Sequence, residues 1–288
     1  MTHHDLQQWI GRIDETDDVA SPTPLTLLAA TLDRPAGPPL SHVPPLWHWL
    51  YFLPTAPMAE VGFDGHPRRG GFLPPVPLPR RMWAGSKIVF HRPLLAGSRI
   101  YRQTVIVDVA TKHGKSGPLV FVSLQHTVSD EQGVALVENQ NIVYRDATVA
   151  IGATGATDTT PPPRPITQVA QFSRTIMPDP VLLFRYSALT FNSHRIHYDH
   201  PYATVEEGYP DLVVHGPLVA TLLVEEVQQR FPGRSIGAFE FKALSPLFAN
   251  TAFDIAGCIE GNTVHVWSQT PQGGLAMLAK AELIEEKK

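Results

Sequence analysis

Between Thr148 and Pro165 the chain passes through small and polar residues into Thr160-Pro161-Pro162-Pro163-Arg164-Pro165, a composition that sustains neither helix nor strand. It reads as a linker. It divides the chain into an N-terminal piece, 1–147, and a C-terminal piece, 166–288, joined by residues 148–165. The two pieces echo one another. Phe90–Ser98 precedes a strand-like run from Ile100 to Val109, and Phe241–Thr251 precedes one from Ala252 to Ile259. Downstream, Leu119–Val128, a turn at Asp130–Gly133 and Val134–Tyr144 correspond to Val264–Thr270, a turn at Pro271–Gly274 and Leu275–Ile284. These runs alternate apolar and polar residues and meet at glycine-bearing turns, the pattern of antiparallel strands with one buried face. A duplicated, strand-rich unit is the simplest account.

Each half also offers one apolar helix. Pro217–Arg230 follows Gly216 and stops before Phe231-Pro232-Gly233, so its start and stop signals agree. Apolar side chains surround nearly all of its first two turns, which predicts a helix wrapped by a sheet rather than resting on a surface. The expected counterpart is Pro44–Leu53, stopped by Pro54. Upstream, Asp5–Ile13 and Pro22–Leu32 read as short helices, the second capped by Ser21. The acidic run Asp14, Glu15, Asp17 and Asp18 reads as a solvated loop rather than a metal site, and no metal is expected.

Composition narrows the class without choosing a function. A chain of 288 residues, 43% hydrophobic and 17% charged, can bury a substantial core, and its length favours two domains. The single cysteine, Cys258, forms no bridge within the chain and sits among Ile255, Ala256, Gly257 and Ile259 as a buried strand residue. A net charge of -4 gives no reason to expect nucleic acid or an anionic membrane as partner. Neither a signal-peptide pattern nor an apolar run of membrane-spanning length is legible, so a cytoplasmic location is the default expectation.

The chemistry concentrates in Tyr186–Ala203. Asn192, His194 and His197 share one short polar stretch in apolar surroundings. A histidine takes a proton from water near neutral pH, and a neighbouring amide holds that water without competing for the proton. These residue types suit hydration or dehydration. The spacing of Tyr186, Leu189, Thr190, Asn192, His194, Arg195, Ile196, His197, Asp199, Tyr202 and Ala203 resembles the signature of MaoC-like, R-specific enoyl-thioester hydratases without a gap. Three positions depart from it: Asn192 stands at the family's catalytic Asp, His194 at its Asn and Arg195 at its Pro. That set of replacements resembles a branch containing mitochondrial 3-hydroxyacyl-thioester dehydratases and bacterial mesaconyl-C4-CoA and itaconyl-CoA hydratases. The resemblance spans most of the chain and is strongest from Tyr186 to Leu223.

The resemblance implies an α+β double hotdog, two curved antiparallel sheets each wrapped around a central helix. It implies a hydro-lyase acting on an acyl-CoA, with CoA as part of the substrate and no cofactor. Within the branch, a short branched dicarboxylyl thioester is expected, mesaconyl-C4-CoA or itaconyl-CoA giving citramalyl-CoA. It places His197 on the catalytic position and Asn192 beside it, where an amide orients water but exchanges no proton. It also points to the amide of Gly216, at the helix start, as donor to the thioester oxygen; the helix dipole favours negative charge there. Tyr186, His194, Arg195 and His215 are substrate-binding candidates, Arg195 through its planar fork toward a second carboxylate or, as a purely structural group, in a salt bridge to Glu206, Glu207 or Asp211. Asp199 reads as a turn cap or as the partner that fixes a histidine tautomer.

The first half lacks an equivalent of this segment and is expected to supply walls. Its basic, Gly/Pro-rich stretch from Gly65 to Gly85 offers Arg68, Arg80 and Arg81 (with Arg69) to the phosphates of CoA, and Lys112–Gly117 is a second candidate, though neither carries a phosphate-loop sequence. The competing readings are a 3-hydroxyacyl-thioester dehydratase of fatty acid metabolism, a hotdog thioesterase, against which Asn192 in place of an acid argues, and a non-catalytic acyl-CoA-binding protein. Exposed sheet edges favour a homodimer over a monomer.

Overall fold

A computed structural model describes residues 6–35, 37–114, 117–146, 168–270 and 272–285. The interdomain linker expected at 148–165, and both boundaries flanking it, lie outside these residues. The first half supplies β1 (Ile13–Val19), α1 (Pro22–Thr31), β2 (His42–Val43), β3 (Arg80–Phe90), β4 (Leu94–Leu95), β5 (Arg99–Gly114), β6 (Gly117–Asp130) and β7 (Gly133–Arg145). The second supplies β8 (Phe172–Ile176), α2 (Pro180–Leu189), α3 (Gly216–Arg230), β9 (Arg234–Ala243), β10 (Phe253–Glu260), β11 (Thr263–Gln269) and β12 (Leu275–Glu285). Among the described residues no helix is long and apolar enough to cross a membrane.

Ten strands form one antiparallel sheet in the order β1-β5-β6-β7-β3-β9-β12-β11-β10-β8. The order is a palindrome of the repeat. Each half contributes five strands in the same sequence of roles, and the halves join where β3 pairs β9, with Ile88 opposite Phe239 and Ser86 opposite Phe241. At that seam the backbones approach closely: a Cβ on Gly85 would lie 2.2 Å from the Phe241 carbonyl oxygen. Only glycine fits there.

Every residue of α3 from Leu218 to Val227 is buried, and the helix packs on β9, β11 and β12. Its third turn carries two buried carboxylates. Arg34 grips Glu225 with Nε at 2.6 Å and a second contact from Nη2, stacks on Trp47, and leaves the Trp47 indole N–H to donate to the same carboxylate at 3.0 Å. Arg174 and Arg230 pair with Glu226 at 2.9 and 2.8 Å. The first half therefore reaches across to neutralise the helix of the second.

The structure corrects several expectations. Pro44–Leu53 is not a long helix: only Trp47–Leu50 forms one 3-10 turn, entered through Leu46 at φ 70. Prolines at both ends leave too few residues for a hydrogen-bonded α-helical run. The fold class stands, but the first half's sheet face is left without a helix. Leu6 and Gln7 are helical, yet residues 8–11 turn and the acidic run lies on β1, paired with β5, instead of in a loop. Its burial alternates along the strand, a period-2 pattern hidden by the charged composition. Ser21 precedes α1 but makes no side-chain cap bond, and the basic stretch ends in a strand from Arg80 onward. Cys258 is buried on β10, as expected.

Replacing Arg34 with Met strands Glu225 within the buried stretch of α3. The expected loss is about 2–4 kcal/mol in urea unfolding, toward the lower end for breaking a buried pair because Arg34 keeps some contact with water. Pairing that change with Glu225→Gln restores most of it; equal instability in the single and double variants would show that the pair is not what holds the halves together.

Candidate active site

The site is assembled by three short stretches. Asp179 caps α2, its carboxylate accepting the Leu182 amide at 2.7 Å, and the helix delivers Tyr186 and Ser187 to the interior. Beyond Thr190 the chain reverses through Phe191, a non-glycine residue at φ 47. Such a conformation costs about 1–2 kcal/mol and persists only where its surroundings fix it. Here the Asn192 amide donates to the Ser187 carbonyl at 2.8 Å, and the Asn192 side-chain oxygen accepts the His194 amide at 3.0 Å. That leaves the Asn192 NH2 group to serve the cavity.

His197 ends a 3-10 turn, Arg195–His197, and is 7% exposed. Its Nδ1–H donates to the Val213 carbonyl at 2.7 Å, which fixes the tautomer with the lone pair on Nε2. Burial, only partly offset by the Val213 acceptor, lowers its pKa to about 4. His197 is thus a neutral base at pH 7. His215 caps α3 behind it, fully buried, its ring stacked on His197 at 3.7 Å between centroids and its Nε2 2.8 Å from Ser187 Oγ. Burial first, then the charges of His197 and His194, pushes the His215 pKa well down.

The first half enters the site through a loop whose chemistry sequence spacing did not signal. Arg195 N donates to the Asp64 carbonyl at 2.9 Å and Ser193 Oγ to the Gly65 carbonyl at 2.5 Å. A Cβ on Gly65, which adopts φ +90, would sit 1.8 Å from the Ser193 oxygen, so the loop docks by backbone contact. It brings the His66 ring to 4.1 Å from that of His194, which in turn lies 5.3 Å from His197, edge on. His66, His194, His197 and His215 form a row of adjoining rings. His66 Nδ1 meets Asp64 Oδ2 at 3.3 Å; burial opposes ionisation of Asp64, but hydrogen bonds from the His66 side chain and amide outweigh it and hold the carboxyl well below its usual range. His194 falls to about 2 through burial and the neighbouring charges of His66, His197 and Arg81. Asp64, His66 and His194 each offer one metal-ligand atom, all within 4.8 Å of one another.

A cavity of about 1450 Å³ opens beside this row. The second half lines it with Tyr186, Ser187, Thr190, Asn192 and Pro217, and the first with His66, Trp49, Trp83, Arg81 and the side chains at one face of β5–β7, Thr104, His126, Glu138 and Gln140 among them. Glu138 accepts from His48 at 3.1 Å, Trp49 at 2.9 Å and Ser86 at 2.6 Å, so the far wall is polar and internally paired. Gly216, at the first turn of α3, has no atom within 4 Å of where a Cβ would stand. Its amide, at the first helical position, has no partner within the helix.

Not every candidate reaches the cavity. Asn192 and Tyr186 lie on its wall; His194 and His215 flank His197 within the ring row. Arg195 stands apart: its Nε and Nη2 hold Asp199 at 2.9 and 2.8 Å, Nη1 donates to the Phe63 carbonyl at 3.1 Å, and the guanidinium covers Tyr202. Asp199 is thus both its partner and, through the Tyr202 amide at 3.2 Å, a turn cap. Arg80 pairs with Glu207 at 3.0 Å, Arg69 is spent on the carbonyls of Val76, Leu78 and Pro79, and Arg68 and Arg81 remain on the cavity wall. The Lys112–Gly117 turn contains residues 115–116, which lie outside the described residues.

Known proteins resemble this chain in sequence and in fold. The hydroxyacyl-thioester dehydratase type 2 family matches residues 46–249. A mesaconyl-C(4)-CoA hydratase from Chloroflexus aurantiacus is 45% identical over 285 residues, 98% of this chain and 99% of that protein. Among solved structures, a MaoC-like dehydratase from Phytophthora capsici superposes with TM-score 0.68 at 14% identity, covering 100% of both chains. A Mycobacterium tuberculosis protein described as a double hotdog fold superposes with TM-score 0.54 at 14% identity, over 99% of this chain and 98% of that one. The fold is a double hotdog.

The neutral histidine row makes stability pH-dependent. His197 has a folded pKa of about 4 against 6.5 when unconstrained, so between those values the unfolded chain binds more protons than the native one. Stability is therefore full above about pH 6.5 and falls as pH drops through that window, by about 2 kcal/mol from His197 alone between pH 7 and pH 5. Urea midpoints at the two pH values, in the wild type and in His197→Gln, measure it; an identical pH dependence in both would mean that His197 titrates normally.

Proposed function

The chain belongs to the hydroxyacyl-thioester dehydratase type 2 family, and on that premise we propose that it is a hydro-lyase that adds water reversibly across the double bond of mesaconyl-C4-CoA, a short branched dicarboxylyl thioester, to give citramalyl-CoA. The observation that carries the chemistry is a neutral histidine, His197, with its Nδ1 proton committed to Val213 and its Nε2 free for a proton. The substrate assignment leans on the 45% identity to a mesaconyl-C(4)-CoA hydratase across nearly both full lengths.

In the hydration direction the Asn192 NH2 group and His197 Nε2 hold one water. His197 takes its proton as the water oxygen bonds to the β-carbon. The electron pair of the double bond moves through the α-carbon onto the thioester oxygen, where the Gly216 amide and the start of α3 stabilise it. The imidazolium then returns its proton to the α-carbon on the same face, regenerating a neutral His197. With Asn192 in place of an acid, His197 alone carries out both transfers. His215 stacks behind the ring and, with the Val213 carbonyl, fixes its plane. An amide donor to a developing oxyanion contributes about 3 kcal/mol to lowering the barrier.

A second reading has its own support. The cavity, about 1450 Å³, has room for an acyl chain much longer than four carbons, as a 3-hydroxyacyl-thioester dehydratase of fatty acid metabolism would need. Assembly as a homodimer belongs to the same proposal, since β1 and β8 end the sheet with one outer side each unpaired among the described residues.

Mass spectrometry of a thioester panel separates the readings: addition of one water to mesaconyl-C4- or itaconyl-CoA ahead of crotonyl- and longer enoyl-CoAs supports the proposal, preference for long chains supports the dehydratase, and release of free CoA sinks both. His197→Asn should lower kcat at least about 100-fold, the usual share of a general base; near-normal turnover would remove His197 from the chemistry. The kcat/KM of the wild type should hold constant from pH 8 to about pH 5 and fall with an apparent pKa near 4 as His197 protonates. Gly216→Ala keeps the amide and a helical backbone but places a methyl in the open space, so turnover should drop tenfold or more while Tm holds or rises slightly, alanine being the better helix former by about 1 kcal/mol.

A further inference from the structure

If the substrate is the dicarboxylyl thioester proposed above, on which this inference rests, its free carboxylate is attached to the carbon that receives the hydroxyl. The anion must then lie next to the base. A carboxylate withdrawn from water there needs a cation or a set of donors, and its negative charge on the reacting carbon repels the incoming oxygen until it is neutralised. Arg195, the sequence candidate for this task, is turned away and committed to Asp199 and the Phe63 carbonyl.

Four arginines do line the cavity: Arg68, Arg69, Arg81 and Arg102. Arg69 is spent on three backbone carbonyls. Arg102 stacks on Phe52 in the first half's wall, within the fields of Asp14, Glu138 and Asp18. Arg68 is exposed. Arg81 differs from all three. It sits half-buried on β3, and among the described residues no carboxylate or carbonyl engages it. The Tyr144 phenol lies within its field and hydrogen-bonds to it, but brings no charge at pH 7, since burial raises the phenol's pKa despite Arg81. Its charge also bears on His66 and His194, the rings that adjoin His197, and Asp64, the carboxylate of that cluster, is committed to His66. An uncompensated cation therefore faces the cavity beside the histidine row.

We infer that Arg81 holds the substrate's free carboxylate and is the residue by which the site selects a dicarboxylyl thioester over a plain enoyl thioester. A planar guanidinium pairs both carboxylate oxygens at once, fixing which face of the double bond meets His197.

The test is the ratio of kcat/KM for mesaconyl-C4-CoA to that for crotonyl-CoA, which lacks the carboxylate, in the wild type, Arg81→Gln and Arg81→Lys. The ratio should fall on the order of 30- to 100-fold in Arg81→Gln, the scale of truncating one partner of a desolvated ion pair. In Arg81→Lys it should fall by less, because the charge is kept and the fork lost. An unchanged ratio in either soluble variant, including equal losses on both thioesters, would overturn the inference and assign Arg81 to the CoA moiety or to folding. The wild type separates the two levels: hydration of crotonyl-CoA without mesaconyl-C4-CoA overturns both the substrate proposal and Arg81's role, whereas hydration of both with a ratio insensitive to position 81 overturns Arg81 alone.

Discussion

A helix buried without a break from Leu218 to Val227 must have the polar groups of that stretch answered from within the molecule, and α3 imposes that demand on everything around it. Its flanks are closed by β9, β11 and β12. Its third turn, with Glu225 and Glu226, is answered by arginines from outside the helix as well as from it. Its first turn has amides with no carbonyl to bind, and the space before Gly216 is left open. Sheet, interdomain contact and site are three responses to one buried helix. At the first turn the demand is unmet from within the helix, and an oxygen developing negative charge is suited to meet it.

The histidine row depends on a second constraint, the fit of two backbones. Phe63, Asp64 and Gly65 from the first half and Ser193 and Arg195 from the second exchange main-chain and side-chain hydrogen bonds at a distance only glycine allows. Such contacts leave little freedom for one half to move against the other locally. The strained Phe191 backbone and the short turn of Arg195–His197 are held by the same contacts, so the position of His197 is determined by groups from both halves.

Much of this was legible in the sequence. The repeat placed β5–β7 and β10–β12 because alternation with a buried face is a local property of each strand. The resemblance carried by Tyr186 to Ala203 pointed to Asn192 and His197 as candidates, and the structure sets them on an Asx turn and the 3-10 turn that follows it. What escaped was non-local or masked by composition. Asp64 and His66 lie far from His197 in sequence, and only the docking of the loop reveals them. The acidic β1 pairs as a strand because its partner β5 offers Arg99, Arg102 and Gln103 across the ladder, information that a run of Asp and Glu does not contain. Arg195 looked like a substrate ligand because its i+4 partner Asp199 was read for other roles, while Arg81 was one cation among several in a proline-rich stretch.

The first half has kept its sheet and given up its helix. Where the second half buries an apolar cylinder, the first presents Thr104, His126, Glu138 and Gln140, polar side chains whose hydrogen bonds are already closed among themselves and their neighbours. This makes the two hotdogs unequal in what they tolerate over evolutionary time. Substitutions beneath α3 must respect close packing. Substitutions on the opposing wall exchange one lining group for another with little repacking, provided its polar pairs stay closed. A lineage built on this chain can therefore drift in what its cavity accepts by changing the lining that the first half supplies.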